Sequence, residues 1–246
     1  METELLISFL TLSLLEIVLG IDNLIFIALV AEKLPATYRT KARVIGLALA
    51  LGIRVAMLAS LSWIMQLTDP LFSIMEHPFS FRDLLLIAGG FFLIGKSTLE
   101  IHADLGGLEE KRKIVAKATF GGAIIQIVII DFVFSFDSIM TAIGIADNLW
   151  IMVAAVVVSM VVMLVASGSI ARLLREYPTF KMLALAFILM IGTVLVAEGM
   201  GVDVPKGYIY VAFAFSIGVE LLNSIARSKH KKKKPDPDAE ELERNL

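Results

Sequence analysis

Four acidic residues occur as two matching pairs inside strongly apolar stretches of the chain. Glu16 and Asp22 form the first pair, and Asp131 and Asp137 form the second pair 115 residues later. Each pair lies in a ten-residue motif, 16–25 and 131–140, and corresponding positions of the two motifs hold residues of the same type. Both motifs have an acid at position 1, Val at position 3, a small residue at position 5 and Asp at position 7. Carboxylates are costly in the hydrocarbon region of a membrane, so acids there indicate a functional site.

The side chains of the two motifs supply oxygen donors of the type that binds hard cations. Besides the four acids, Asn23 offers an amide oxygen and Ser138 a hydroxyl. Such donors suit Mg²⁺, Ca²⁺ or Mn²⁺. A divalent cation would also offset the repulsion between neighbouring carboxylates. Two alternatives remain open, namely protonated acids that only join helices and a proton relay.

Other metal chemistries are excluded by composition. The chain has no cysteine, so thiolate sites, disulfides and cysteine nucleophiles are absent. Of the three histidines, His77 and His102 fall near predicted helix ends, where an imidazole is usually solvated. We therefore expect no soft-metal site within the membrane.

The elements that carry these residues are predicted to be membrane-spanning helices. Hydrophobic residues make up 58% of the chain and the mean hydropathy is +0.84, well above a soluble domain. The N-terminus lacks a basic segment and a cleavage site, so we expect the first apolar run to be retained. Runs of about 20 apolar residues predict an all-α polytopic membrane protein with seven transmembrane helices, at roughly 5–30, 42–67, 83–101, 119–145, 148–171, 180–198 and 206–226.

The distribution of basic residues predicts the orientation of the helices. Loops 31–43, 109–117 and 172–181 contain several Lys and Arg, whereas the loops between them contain one or none. We expect the protein in the plasma (inner) membrane, where the positive-inside rule places the N-terminus outside and the C-terminus in the cytoplasm. Residues 229–246 are predicted to form a disordered, charged cytoplasmic tail.

The two motifs start two three-helix units of opposite orientation. Repeat A covers about 5–101, repeat B about 119–198, and the helix at about 206–226 stands outside both within one transmembrane domain, 1–228. Inverted repeats of this kind are typical of secondary transporters.

The helical rise predicts the depth of each acid. Glu16 and Asp131 lie roughly 17–18 Å into their helices, near the middle of the membrane, and Asp22 and Asp137 lie about 9 Å away on opposite sides. In a regular helix the two acids of one pair would point about 120° apart.

A small residue separates the acids of each pair, Gly20 in the first and Ser135 in the second. Such a residue permits a helix break, which would free carbonyl groups as further ligands, or close packing of an intact helix. Both interpretations remain open at this stage.

Arg54 is predicted to lie about 18 Å into the second helix, level with Glu16 and Asp131. An arginine at this depth must pair or extend to the interface. We expect it to pair with one of these acids when no metal is bound, so that an arriving metal must displace it. Further secondary candidates are Gln126 as a donor near Asp131, and Glu220 and Asn223 on one face of the last helix.

The motifs resemble those of the TerC family of bacterial integral membrane proteins. The sequences around Glu16 and Asp131, with Lys181-Met-Leu-Ala-Leu-Ala-Phe and Val204-Pro-Lys-Gly-Tyr-Ile-Tyr, carry this resemblance over residues 5–228. The similarity of this family to manganese exporters implies efflux of Mn²⁺, with Ca²⁺ suggested for some relatives. The metal-site candidates implied by the resemblance are Glu16, Asp22, Asn23, Asp131, Asp137 and Ser138.

The expected function is therefore export of a divalent cation by alternating access, with Mn²⁺ or Ca²⁺ as transported ion rather than cofactor. The alternatives are another cation/proton antiporter and a membrane scaffold for assembly or metalation of other proteins. An intramembrane aspartyl protease fits poorly, because the acids come as two pairs at different depths. We expect no enzymatic activity, no nucleic-acid partner and no direct use of ATP, while a homo-oligomer or other membrane proteins remain possible partners.

Overall fold

The computed structural model describes residues 2–60, 65, 67–74, 77–106, 118–143 and 148–231. Helices dominate this part of the chain, and one short antiparallel pair of strands precedes α4. The elements are α1 (Glu2–Leu19), α2 (Ile21–Glu32), α3 (Ala36–Ala59), β1 (Pro70–Ile74), β2 (His77–Ser80), α4 (Phe81–Leu105), α5 (Phe120–Ile143), α6 (Leu149–Glu176), α7 (Pro178–Gly199) and α8 (Lys206–Lys231).

The described helices confirm the predicted all-α polytopic membrane fold. Six spans in this part of the chain are long and apolar enough to cross a membrane, the first of them formed by α1 and α2 together. A shorter apolar segment, Gly207–Asn223, lies in α8. Many large apolar side chains, such as Leu14, Leu99 and Val165, are exposed, as expected for surfaces that face lipid.

Several helix boundaries and one loop differ from the prediction. The fifth span continues to Glu176 instead of ending at 171, because Arg172 to Arg175 are good helix formers that the basic composition had assigned to a loop. Pro178 then begins α7. At this first position the N–H that proline lacks would have no partner within the helix. The second span begins at Ala36 rather than 42, and its described helix ends at Ala59. Residues 61–64 and 66 of the predicted span lie outside the described part of the chain. The connection that follows contains the β1–β2 pair, in which Phe72 stacks on Phe79.

The membrane helices form two packing groups. In the first, here called the bundle, α1 and α2 pack on α6, while α3 packs on α5 and α6. In the second, the α4–α7 pair, the two helices contact each other more extensively than any other described helices. The motif helix of each predicted repeat thus packs on the second helix of the other, which agrees with an inverted repeat.

Residues Pro205–Leu246, which include α8, form a separate compact unit. The described part of that unit is helical from Lys206 to Lys231. The predicted tail therefore begins as helix, and its residues after Lys231 lie outside the described part of the chain.

Close backbone contact joins α4 to α7. A Cβ atom placed on Gly90 would lie 2.6 Å from the carbonyl oxygen of Gly192, and one placed on Gly192 would lie 2.9 Å from the carbonyl oxygen of Gly90. Small residues at such positions let membrane helices approach closely. The α4–α7 pair therefore depends on two glycines that face each other.

We expect Gly90→Ala to destabilise the protein by about 1–3 kcal/mol, since the obstructing atom is backbone and cannot rotate away. Gly95→Ala is the matched control on the same helix, because nothing lies within 4 Å of its added Cβ. The control should be neutral or stabilising by about 0.5–1 kcal/mol, as usual for Gly→Ala in a helix. Thermal unfolding in one detergent compares them, and equal stability of the two variants would contradict the proposed contact.

Candidate functional site: a buried cluster of carboxylates around Arg54

Arg54 lies between the two acids that the sequence places near the middle of the membrane. Its Nη1 donates to Glu16 Oε2 at 2.9 Å and its Nη2 donates to Asp131 Oδ1 at 2.9 Å. A longer contact of 3.4 Å joins Nε to Asp131 Oδ2. All three residues are only 2% exposed. The predicted ion pair is confirmed, and the planar guanidinium group binds both acids at once.

Helix packing brings these three side chains together. On α3, residues Ala42, Gly46, Ala50 and Arg54 recur every four positions and are buried, so they share one face. A Cβ on Gly46 would lie 2.9 Å from the side chain of Ile127 on α5. The small residues of α3 thus allow α5 to approach closely enough for Arg54 to reach Asp131.

Asp131 also binds two uncharged groups. Asn23 Nδ2 donates to Asp131 Oδ1 at 3.3 Å, and Ser135 Oγ donates to Asp131 Oδ2 at 3.1 Å. The amide oxygen of Asn23 is buried and accepts no hydrogen bond within the described part of the chain. An unsatisfied buried oxygen is costly. It is the type of donor that a hard cation would use.

The two motif helices differ at their small residues. The first is interrupted at Gly20, between α1 and α2, where a Cβ would lie 2.6 Å from the sulfur of Met163 on α6. The interruption makes Asp22 a first-turn residue of α2, and its Oδ1 accepts from the backbone N–H of Asn23 at 2.9 Å. A carboxylate is favoured at a helix N-terminus. In contrast, α5 continues through Ser135.

Asp137 is neutralised by an arginine that the sequence did not single out. Arg82 Nη2 donates to Asp137 Oδ1 at 2.9 Å, and Asp137 is 4% exposed. Arg82 lies in the first turn of α4, which a reciprocal pair of hydrogen bonds between Ser80 and Asp83 fixes in place. The signal in the sequence is a lone arginine at the start of an apolar helix, which loop charge alone does not distinguish from a solvated residue.

At the other end of α4 a lysine and an acid form a second ion pair. Lys33 Nζ, just beyond the end of α2, contacts Glu100 Oε1 of α4. Burial lowers the pKa of Lys33 to about 8, although the nearby Glu100 carboxylate favours the charged ammonium. Lys181 of α7 pairs with Asp104 of α4 at 2.6 Å.

The six predicted metal ligands do not converge in this conformation. Among the described residues, no three Asp, Glu or His side chains lie together in a way that could hold a metal ion. Glu16 and Asp131 bind Arg54, Asn23 binds Asp131, and Asp22 is close enough to Arg54 to interact with it electrostatically. The remaining two are held elsewhere, Asp137 by Arg82 and Ser138 by the carbonyl oxygen of Ser135.

The remaining secondary candidates lie apart from these contacts or in the second unit. Gln126 of α5 is half-buried, and its Oε1 accepts no hydrogen bond from the described residues. Glu220 and Asn223 belong to α8, in the second unit. Their roles stay predictions.

Comparison with known proteins places the chain in a family. It matches the family described as "Integral membrane protein TerC family" over residues 1–235.

The inner membrane protein YgdQ of Escherichia coli (strain K12) is 50% identical over 220 residues, covering 89% of this chain and 92% of YgdQ. YegH of the same strain is 49% identical over 217 residues, covering 88% of this chain and 41% of YegH. YoaE, also an inner membrane protein of that strain, is 48% identical over 228 residues, covering 92% of this chain and 44% of YoaE. No solved structure matches. The chain belongs to the TerC family of integral membrane proteins.

Proposed function

We propose that the protein is a secondary transporter that exports a divalent cation, Mn²⁺ in the first instance, through the cluster around Arg54. The observation that carries the proposal is a pair of buried carboxylates from two motif helices, bridged by one arginine beside an unsatisfied amide oxygen. We assign no chemical step to the protein. The ion is cargo, and no enzymatic activity or resident cofactor is needed.

Charge balance supports a cation as the substrate. With all groups ionised, Glu16, Asp131 and Arg54 carry one negative charge in excess. Buried charge without compensation is strongly unfavourable, so the cluster favours a further cation or a proton. If Arg54 moves aside, the two carboxylates and the Asn23 oxygen become an oxygen-rich site suited to Mn²⁺ or Ca²⁺.

We place the protein in the inner membrane, with the N-terminus outside and the C-terminus in the cytoplasm. YgdQ and YoaE are both named inner membrane proteins, which supports the location in that membrane. The alternation of loops rich and poor in basic residues supports the orientation.

This orientation predicts which engineered cysteines an impermeant reagent reaches from outside. Because the chain has no cysteine, single substitutions can be labelled without background. Asp147→Cys, in a loop assigned to the outside, should react in intact cells, and Arg112→Cys should react only after the membrane is opened. The reverse pattern would invert the topology. Both positions lie outside the described residues, so the test rests on loop charge alone.

Flux into sealed vesicles tests the transport proposal. Purified protein in liposomes should carry Mn²⁺ down an imposed gradient, while liposomes without protein should not. The same vesicles loaded with Ca²⁺ compare the two ions, and an imposed pH gradient tests coupling to protons. Absence of flux of any divalent ion would favour a scaffold that assembles or metalates other membrane proteins.

A further inference from the structure

Helix α4 carries an ion pair near each end, and each pair joins it to one of the two motif helices. Near its start Arg82 binds Asp137 of α5, and near its end Glu100 binds Lys33 beyond α2. Eighteen residues separate Arg82 from Glu100, which corresponds to about 27 Å along the helix. The two ion pairs therefore lie at opposite faces of the membrane domain.

Between these two ion pairs, α4 touches the bundle closely at Gly89. A Cβ on Gly89 would lie 2.5 Å from the side chain of Val133 on α5, two residues from Asp131. The α4–α7 pair itself is held together by its extensive helix contact, which includes the close approach of Gly90 and Gly192. The other helix of the pair, α7, also contacts α2 and α6 of the bundle. A tightly joined pair of helices whose own helix α4 approaches the bundle most closely near its middle can tilt about that point.

An open recess reaches each end of α4. One, of about 440 Å³, is lined by Thr68, Ser80, Arg82, Asp83 and Met140. The other, of about 360 Å³, includes Glu32, Asp104, Arg175 and Lys181 among its lining residues. Arg82 thus lines the first recess and also binds the buried carboxylate of Asp137. At the other end Lys33 and Glu100, with Ser97, line a narrow pocket.

We propose that Arg82–Asp137 and Lys33–Glu100 are the two gates of the transporter, and that tilting of the α4–α7 pair about Gly89 opens one while it keeps the other closed. This proposal rests on the proposed function, because it names the residues that expose the cluster to one side at a time. The structure has both ion pairs formed and therefore represents a state closed on both sides.

The test uses two cysteine reporters, one beside each gate. Met140→Cys reports on the recess next to Arg82, and Ser97→Cys reports on the pocket next to Lys33 and Glu100. Each reporter is combined with Arg82→Gln, or with the double substitution Lys33→Gln and Glu100→Gln. The double substitution removes both charges and so leaves no unpaired charge. The rate of maleimide labelling of purified protein is measured without metal.

Opening one gate should close the other. Arg82→Gln should raise the labelling rate of M140C and lower that of S97C, each by about two- to five-fold, which is the range expected for loss of one partly exposed ion pair. The double substitution should do the reverse. Arg82→Lys, which can keep one hydrogen bond to Asp137, should restore the rates towards those of the wild type.

The control is Lys181→Gln, which breaks an ion pair inside the α4–α7 pair and should change neither rate. Faster labelling only at the mutated end, with no decrease at the other end, would show local loosening and overturn the proposal. If Arg82→Gln does not fold, Arg82→Lys and the double substitution still decide between these outcomes. Labelling needs neither metal nor flux, so the labelling result stands even if the Mn²⁺ flux assay fails. Normal Mn²⁺ flux without reciprocal labelling would reject the two gates and leave the proposed transport function in place.

Discussion

Replacing Arg54 by leucine is expected to destabilise the metal-free protein by roughly 3–5 kcal/mol, the cost of removing one partner from a buried ion pair. In this structure Glu16 and Asp131 would both lose their ion-pair partner, because the single guanidinium group of Arg54 binds both carboxylates. The two carboxylates would then lie near each other, and among the described residues Asn23 and Ser135 would be left as donors to Asp131.

Mn²⁺ should partly reverse this loss of stability. If the proposed site binds Mn²⁺, the cation must displace Arg54 in the wild-type protein, whereas in the leucine variant Glu16 and Asp131 can bind it directly. Because a ligand stabilises the folded state according to its affinity, the rise in melting temperature with Mn²⁺ should be larger in the variant. Thermal unfolding with and without Mn²⁺ measures the difference.

Arg54→Lys is the matched control for this experiment. Lysine keeps the charge, but it lacks the planar fork that binds Glu16 and Asp131 together, so stability should be intermediate. An equal shift with Mn²⁺ in wild type and Arg54→Leu would mean that Arg54 only holds helices together.

Asp22→Asn and Asp137→Asn should each abolish Mn²⁺ flux in sealed vesicles and weaken Mn²⁺ binding. Each change keeps the size of the side chain and removes its charge. Both variants should still fold, because an amide oxygen can still accept from the N–H of Asn23 or from Arg82.

Asp104→Asn is the control that shows whether removing an acid outside the two motifs also affects transport. Asp104 pairs with Lys181 at the end of α4 and lies outside both motifs, so transport should persist. Normal flux in both motif variants would instead assign these acids a purely structural role.

The sequence predicted the parts of the site that depend on depth and pattern. Apolar runs gave the spans, and a constant rise per residue put Arg54 level with Glu16 and Asp131, which the ion pairs confirm. These inferences succeed because a membrane allows few alternatives to a straight helix of about 20 residues.

Features that depend on tertiary contacts could not be predicted in the same way. The partner of Asp137 is Arg82, which is far along the chain and reaches it only because α4 packs beside α5. Whether Gly20 or Ser135 interrupts its helix also depends on neighbours. Met163 packs directly against Gly20, whereas the Ser135 hydroxyl binds Asp131 one turn back on the same helix.

The interruption at Gly20 has no counterpart in α5, and this inequality has an energetic consequence. If the halves of an inverted repeat were identical, exchanging their conformations would give inward-facing and outward-facing states of equal free energy. Here one half contains both the interrupted helix and Arg54, so the two states of the proposed transporter would differ in free energy and in resting population. In the proposed transporter this imbalance would set the side on which the empty protein waits for its ion, whereas the direction of net flux would be set only by the gradients across the membrane.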